Sequence, residues 1–317
     1  MLNNLNHDGE LSMNAGFVGL GKMGFNMVEH LLDLGHRVVV HDLSHDAVAA
    51  ISAKGAIPAS SLQHLVGELE TPRIVWMMVP AGGAVDAVLN GLTPFLDRGD
   101  IVIDGGNSRY TDTVARAEKL GRQGINLLDV GTSGGLEGAR HGACMMVGGN
   151  RDAYDLVEPL LSGLCVGNGC GYMGASGSGH FVKMVHNGIE YGMMQAIGEG
   201  FDLLESSGYG IHHETVARVW SNGSVIRGWL MELAEKALAK DGRLSYLGGA
   251  ISDSGEGRWT VETALELGVS TPVIAESVLR RFASRRPDNF SDRLVAALRN
   301  EFGGHGFAHP DGTEASS

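Results

Sequence analysis

Through the first half of the chain, short β-branched runs alternate with amphipathic stretches. Residues 15–20, 37–42, 73–79 and 100–106 predict buried strands, and 125–130 and 143–149 predict a continuation of the same sheet. Amphipathic segments such as 22–34 and 109–121 fall between them. Strand and helix in alternation imply a mostly parallel, doubly wound sheet. Beyond about residue 176 the strand signals stop. Helical patterns then run through 178–207, 213–220, 225–239, 259–267 and 271–285. The expected fold class is therefore α/β, an N-terminal Rossmann-type doubly wound sheet followed by an all-α C-terminal domain. The expected division is a flexible extension at 1–14, a dinucleotide-binding domain at 15–177, a helical domain at 178–300, and a glycine-rich polar tail at 301–317. The boundary lies inside "GASGSGHF", and Met13 offers an alternative start.

The first strand runs straight into "FVGLGKMG", which spaces Gly19, Gly21 and Gly24 as G-x-G-x-x-G. Alone, that match is weak. Here it follows a strand, opens a helix and is trailed by a second strand that ends in Asp42, the context the dinucleotide fingerprint needs. Gly19 allows the tight turn, Gly21 lets backbone N–H groups reach a pyrophosphate, and Gly24 lets the helix pack on the sheet. Leu20, Lys22 and Met23 complete the loop, and the helix N-terminus presents its positive end to phosphate. Asp42 lies 21 residues beyond Gly21, where a carboxylate accepts hydrogen bonds from the adenosine ribose hydroxyls. A 2′-phosphate would meet like charge there. Leu43 follows instead of an arginine, so NAD is expected rather than NADP, with His41 and His45 close by. The competing structural reading is a glycine-rich turn that binds nothing.

A second concentration of chemistry lies in "KMVHNGIEYG", residues 183–192. At about 100° per residue, with Lys183 as zero, Asn187 falls near +40°, His186 near −60°, Glu190 near −20° and Tyr191 near +80°. One arc of an otherwise apolar helix thus collects an amine, an imidazole, an amide and a carboxyl. A structural Lys–Glu pair is the alternative, but burying such a pair is a costly way to hold a helix. A lysine in a partly desolvated cleft can act as a general base near neutral pH, with a nearby carboxyl group as the acid.

Composition narrows the partners. The 317 residues include 43% hydrophobic and 19% charged positions, suited to two domains with a sizeable core. Glycine is the outlier, at 48 residues against 8 prolines, which points to tight turns and close backbone approaches. A net charge of −13 argues against nucleic acid or an anionic membrane as the main partner, though not against a local basic pocket. No apolar run reaches the roughly 20 residues that span a bilayer, and the N-terminus lacks a signal-peptide pattern. A cytoplasmic enzyme is the expectation. Three cysteines, Cys144, Cys165 and Cys170, lack paired zinc spacing and read as reduced thiols in or near the core.

"GHFVKMVHNGIEYGMMQ" resembles the catalytic helix of the 6-phosphogluconate dehydrogenases, decarboxylating enzymes of the pentose phosphate pathway. "DGGNSRYTDT" (104–113), "GTSGGLEGARHG" (131–142) and "GRWTVETALELGV" (257–269) are similar to further segments of that family. The resemblance covers most of 15–305, and the chain length matches the short form, which is commonly linked to NAD. It implies oxidation and decarboxylation of 6-phospho-D-gluconate to ribulose 5-phosphate without a metal. Lys183 would be the base at the C3 hydroxyl and Glu190 the acid that protonates C1. Asn107, Ser133, Gly134, Gly135, His186 and Asn187 would orient the carboxylate and hydroxyls. Tyr191 and Arg281 are placed like phosphate contacts. "RNEFGGH" resembles an element that enters the partner subunit's site, which makes Arg299 and His305 phosphate ligands supplied in trans within a dimer or tetramer. Val79, Pro80, Ala81 and Asn107 would flank the cofactor.

Two positions depart from the family pattern. Ser254 stands where many relatives carry a phosphate-binding lysine, and Pro80 stands where many NADP-using relatives carry a lysine. The first weakens the grip on phosphate. The second again favours NAD. Two rival readings are a β-hydroxyacid dehydrogenase acting on a smaller unphosphorylated acid without decarboxylation, and a catalytically silent dinucleotide-binding protein.

Overall fold

The computed structural model describes residues 12–286 and 288–303. The predicted apolar runs form six strands of one sheet: β1 (Asn14–Val18), β2 (Arg37–His41), β4 (Ile74–Met77), β5 (Ile101–Asp104), β6 (Asn126–Ser133) and β7 (Ala143–Gly148). Two more strands, β3 (Ile57–Pro58) and β8 (Cys165–Gly174), have no counterpart in the sequence reading. The first is only two residues long. The second, "CVGNGCGYMG", is rich in glycine and lacks both an apolar run and clean alternation.

The strand order is β3-β2-β1-β4-β5-β6-β7-β8. Pairing is parallel throughout except between β6 and β7. Helices α1 (Lys22–Asp33), α2 (His45–Ser52), α3 (Leu62–Gly67), α4 (Gly83–Leu92) and α5 (Tyr110–Gly121) make the parallel crossovers. Helices α6 (Gly135–His141) and α7 (Arg151–Gly163) flank β7 in sequence. The order reverses between β1 and β4, and the crevice at such a switch point is where open α/β sheets bind ligands.

Period-two alternation gives the sheet two cores. Phe17, Val38, Val40, Trp76, Ile103 and Leu128 join Met27 and Leu31 of α1 on one face, where Phe17 and Trp76 stack at 5.9 Å. Val18, Val39, Val75, Met77 and Val102 meet Leu65 of α3, Val85 and Leu89 of α4 and Leu120 of α5 on the other. Burial on both faces explains why these strands read as continuous apolar runs.

Six helices follow: α8 (Ser178–Ser206), α9 (His213–Ser221), α10 (Trp229–Lys240), α11 (Glu256–Leu267), α12 (Pro272–Ser284) and α13 (Phe290–Gly303). The chain divides into two compact units after Gly188, within α8. The compositional change at 178 instead coincides with the first residue of α8. In the second unit, Ala217, Met231 and Leu238 pack with Ile197, Phe201 and Trp220.

Several boundaries differ from the sequence pattern. Asn14, read as the end of an extension, opens β1, and the carbonyl of Met13 before it accepts from Arg37 N–H at 3.0 Å. The helix expected at 225–239 begins at Trp229, because Gly228 has a φ of +154° that a helix cannot use. The helix expected from 259 begins at Glu256, after a left-handed Gly255. Helix α13 is not in the predicted set, and it carries helical backbone to Gly303, into the segment read as a tail. Cys144 is exposed rather than core, while Cys165 and Cys170 are half-buried. Among the described residues no helix is long and apolar enough to cross a membrane.

Candidate active site

The loop after β1 is shaped by its glycines. Gly19 has a φ of +100°, and a Cβ there would strike the Met78 carbonyl. A Cβ on Gly24 would collide with the Gly19 carbonyl. A Cβ on Gly21 would meet nothing within 4 Å, so the N-cap of α1 faces open space. Among the described residues no side chain caps α1, and its first turn holds no acid. The loop from Gly19 to Gly24, with Leu20, Lys22 and Met23, is therefore a cradle suited to pyrophosphate.

Asp42 follows β2, and both of its oxygens accept backbone N–H bonds. Leu20 donates at 2.6 Å and Ser44 at 2.7 Å. The carboxylate thus ties the phosphate loop to the end of β2 while keeping lone pairs for ribose hydroxyls. Leu43 beside it is 95% exposed, an apolar neighbour with no positive charge to offer a 2′-phosphate. His41 is turned toward the Ala59 carbonyl, 3.0 Å from its Nδ1.

Across the switch point, Val79, Pro80 and Ala81 leave β4 and lead to Gly82, whose φ is +87°. Arg116 of α5, buried, holds this turn. Its Nη2 donates to the Gly82 carbonyl at 3.1 Å, and its Nε to Asp86 at 2.7 Å. That hydrogen bond draws the Asp86 carboxyl below its usual range. The next loop is organised by buried Asp104, which accepts from Gly106 N–H at 3.1 Å and from Ser108 Oγ at 2.7 Å. Asn107 is left exposed between them. A Cβ on Gly106 would lie 2.8 Å from the Val79 carbonyl, so the Asn107 loop rests against the β4 loop.

Helix α8 brings its amine into a polar chain. Lys183 and Asn187 are buried, and Lys183 Nζ donates to Asn187 Oδ1 at 2.8 Å. His186 Nδ1 lies 3.0 Å from the same oxygen and 3.4 Å from Nζ, while its Nε2 lies 3.2 Å from Ser133 Oγ. An amide oxygen can only accept, so the contact at 3.0 Å suits the His186 tautomer that donates from Nδ1 and leaves Nε2 to accept from Ser133. Ser133 ends β6 and passes into Gly134 (φ +116°) and Gly135 (φ +60°), a left-handed turn that glycine tolerates best. The predicted Ser133, Lys183, His186 and Asn187 are thus together, with Gly134 and Gly135 shaping the turn beside them.

What holds Lys183 in place is Asp129 of β6, fully buried. Its two oxygens accept from Gly177 N–H at 2.7 Å and His180 N–H at 2.9 Å, capping the N-terminus of α8. His180 also meets Thr113 of α5, 2.8 Å from Nδ1 to Oγ1. Close packing depends on glycine. A Cβ on Gly131 would overlap Lys183 Cβ, and one on Gly148 would sit 2.7 Å from both Asp129 Oδ1 and Gly179 N. Sequence reasoning passed over Asp129, Asp104 and Arg116. Each left a signal: a charge within a buried strand run for the first two, and for Arg116 a place on the buried stripe with Thr113 and Leu120.

In the second unit, Tyr191, Ser254 and Arg281 form their own cluster. Tyr191 Oη lies 3.3 Å from Ser254 Oγ and donates to Asp253 at 3.4 Å. The Arg281 guanidinium stacks on the Tyr191 ring at 3.5 Å and donates to the Ser252 carbonyl at 2.8 Å. Ser254 gives its proton to buried Glu256 at 2.6 Å. Glu190 lies on α8, two turns beyond Lys183. Arg299 is exposed on α13, and His305 lies outside the described residues.

Two family models divide the chain. The NAD binding domain of 6-phosphogluconate dehydrogenase matches residues 14–183, and the 6-phosphogluconate dehydrogenase C-terminal domain matches 179–297. The chain belongs to the 6-phosphogluconate dehydrogenase family. It is 53% identical over 293 residues to YqeC of Bacillus subtilis, a provisional 6-phosphogluconate dehydrogenase, covering 92% of this chain and 98% of the relative. It is 48% identical over 301 residues to the NAD(+)-dependent, decarboxylating 6-phosphogluconate dehydrogenase of Haloferax volcanii, covering 94% and 100%. The Plasmodium falciparum 6-phosphogluconate dehydrogenase, solved apo, with NADP+ and with 6-phosphogluconate, superposes with a TM-score of 0.79 at 28% identity. That match covers 94% of this chain but 67% of the longer one. The chain therefore spans nearly all of these two curated relatives and about two thirds of the Plasmodium enzyme.

Two substitutions test the α8 anchor. Asp129→Asn replaces one acceptor oxygen with a donor that faces an N–H, and it should lower unfolding free energy by about 1–3 kcal/mol in urea titration. Gly131→Ala should leave a folded protein by circular dichroism yet reduce turnover at least about tenfold, because the added methyl displaces Lys183.

Proposed function

We propose that the chain oxidises and decarboxylates 6-phospho-D-gluconate to ribulose 5-phosphate and CO2, with NAD preferred over NADP, as a cytoplasmic homo-oligomer. The observation that carries the reading is the buried Lys183, hydrogen-bonded to Asn187 and adjoining the His186–Ser133 pair. An amine that donates to an amide oxygen keeps its lone pair, when neutral, for a substrate hydroxyl. Lys183 takes the proton from the C3 hydroxyl as C3 is oxidised. Bound nicotinamide supplies the hydride acceptor, held through the Gly19–Gly24 loop, Asp42 and the 79–81 turn. The resulting β-keto acid breaks its C1–C2 bond, and the electrons flow into the C3 carbonyl, where protonated Lys183 balances the developing negative charge. Glu190 then gives a proton to the carbon that carried the CO2. Asn107, Ser133 and His186 supply the hydrogen bonds that orient carboxylate and hydroxyls.

For the phosphate, Arg281 offers a guanidinium fixed by its stack on Tyr191. Ser254 contributes little as a donor, since its hydroxyl proton goes to Glu256. Arg299 and His305 are proposed to add donors from a partner subunit. Support for an oligomer comes from the exposed apolar residues of the second unit, among them Leu203, Val225, Leu265 and Val273. The buried carboxylates of Asp253 and Glu256 beside Ser254 favour one competing reading, a β-hydroxyacid dehydrogenase for an unphosphorylated acid.

Incubation with 6-phosphogluconate and NAD should release NADH and CO2 in equal amounts; NADH without CO2 would overturn the assignment. Lys183→Ala and Glu190→Ala should each lower kcat at least about tenfold, the low end of general acid–base catalysis. Asp42→Ala should reduce the NAD-to-NADP ratio of kcat/KM by about tenfold or more, the worth of hydrogen bonds to a charged acceptor. An unchanged ratio would remove the ribose contact.

A further inference from the structure

Outside this site, β8 carries two thiols that the chemistry above does not use. In register, Cys165 lies opposite Ala143 and Cys170 opposite Met145, so five steps along β8 span two along β7. The three surplus residues lie within 166–169, which form a bulge with Asn168 left-handed at a φ of +62° between Gly167 and Gly169. Cys165 and Cys170 are thereby brought to positions two strand steps apart. Two steps span about 6.6–6.8 Å, the long end of the roughly 4.4–6.8 Å between Cα atoms that a disulfide bridges. A bulge holding two glycines can yield the remaining adjustment. The thiols are near enough to influence each other's ionisation and are half-buried against the sheet core.

Helix α7 completes the surroundings. The Tyr154 and Ser162 side chains lie near Cys170, with the Ser162 hydroxyl donating to Glu158 at 2.5 Å, and Glu158 and the exposed Cys144 of β7 are the other titratable neighbours of the pair. The neighbouring Cys165 thiol, opposed by burial and aided by Tyr154 and Ser162, draws the Cys170 thiol down to about 7. Cys170 and burial in turn push Cys165 up. One sulfur is thus an attacking thiolate near neutral pH, and the other holds its proton until a partner is offered.

We infer that Cys165 and Cys170 form a dithiol that a peroxide converts into an intrachain disulfide. The Cys170 thiolate attacks one peroxide oxygen: an S–O bond forms, the O–O bond breaks, and hydroxide leaves to become water. A solvent proton turns that hydroxide into water; Cys165 then attacks the sulfenic sulfur, the S–S bond forms, the S–O bond breaks, and the sulfenic hydroxyl leaves with the Cys165 proton as a second water. Two thiols lose two electrons, and one hydrogen peroxide is reduced to two waters.

Peptide mass after treatment of the native protein with hydrogen peroxide, alkylation and unreduced tryptic digestion is the test. Trypsin cuts after Arg140, Arg151 and Lys183, which places Cys144 in 141–151 and both members of the pair in 152–183. Peptide 152–183 should lose two hydrogens and take no alkyl label, while 141–151 stays labelled at Cys144. A dithiol reductant should restore both labels. The rate should rise as pH passes through about 7, where the Cys170 thiolate accumulates. Cys170→Ser should slow peroxide loss of label at Cys165 by about tenfold, and Cys165→Ser should leave a sulfenic acid at Cys170 that a 1,3-dione traps. Two labels retained on 152–183, or a cross-link between it and 141–151, would overturn the inference. The readout is mass rather than turnover, so it stands or falls separately from the proposed reaction.

Discussion

The two hydrogen bonds from Gly177 and His180 to Asp129 fix where α8 begins, and with it where Lys183 points. A helix start leaves backbone N–H groups without intrahelical partners. A carboxylate beneath them satisfies two and opposes the positive end of the helix dipole. Because Asp129 is on β6, the same strand that ends in Ser133, one strand sets both the helix start and the serine that faces His186. Gly131 lies between these two residues, and its missing Cβ is what allows Lys183 to come down onto the strand. Three residues of β6 at alternate positions, 129, 131 and 133, therefore do related work on one side of the sheet, as the period of two requires.

Much of this was legible before any coordinates. The glycine fingerprint, the switch from strand to helix near 178, and the polar arc of 183–191 are periodic or local signals. Backbone geometry alone converts such signals into structure. The strands found were those buried on both faces, where apolar runs are continuous. What escaped was set by tertiary contact. Helix α13 escaped as well, although it too is amphipathic. Asp129 is one acid in a buried run, and nothing local reveals that its partners are about fifty residues away in sequence. Arg116 falls on the buried stripe of α5, but its partners Gly82 and Asp86 lie 34 and 30 residues away.

At the Tyr191–Ser254–Arg281 cluster, proposed to meet the substrate phosphate, chemistry and sequence are in tension. In the family pattern a lysine precedes the helix that here begins at Glu256, and this chain has Ser254. The exchange is not an empty loss of charge. Ser254 donates to Glu256, Tyr191 donates to Asp253, and Arg258 approaches Asp253 at 3.9 Å. The serine thus belongs to a network whose acceptors are already carboxylates. A dianionic phosphate entering that network must be met by cations, and Arg281 is already oriented by its stack on Tyr191. Restoring a lysine at 254 would pair it first with Glu256 and Asp253.

Cofactor preference follows a similar logic of shared groups. Asp42 is both the acid expected to read the ribose and the acceptor that fastens Leu20 and Ser44. Removing the charge to admit a 2′-phosphate also releases the phosphate loop from the end of β2. Discrimination and loop geometry are coupled through one carboxylate. A switch to NADP therefore needs a residue that keeps an acceptor toward Leu20 N–H while placing positive charge beyond it. Position 43 is the natural place for that charge: Leu43 is almost wholly exposed and gives up no core packing when replaced. Asn at 42 with Arg at 43 preserves an acceptor oxygen, removes the repulsion, and brings a fork for the phosphate.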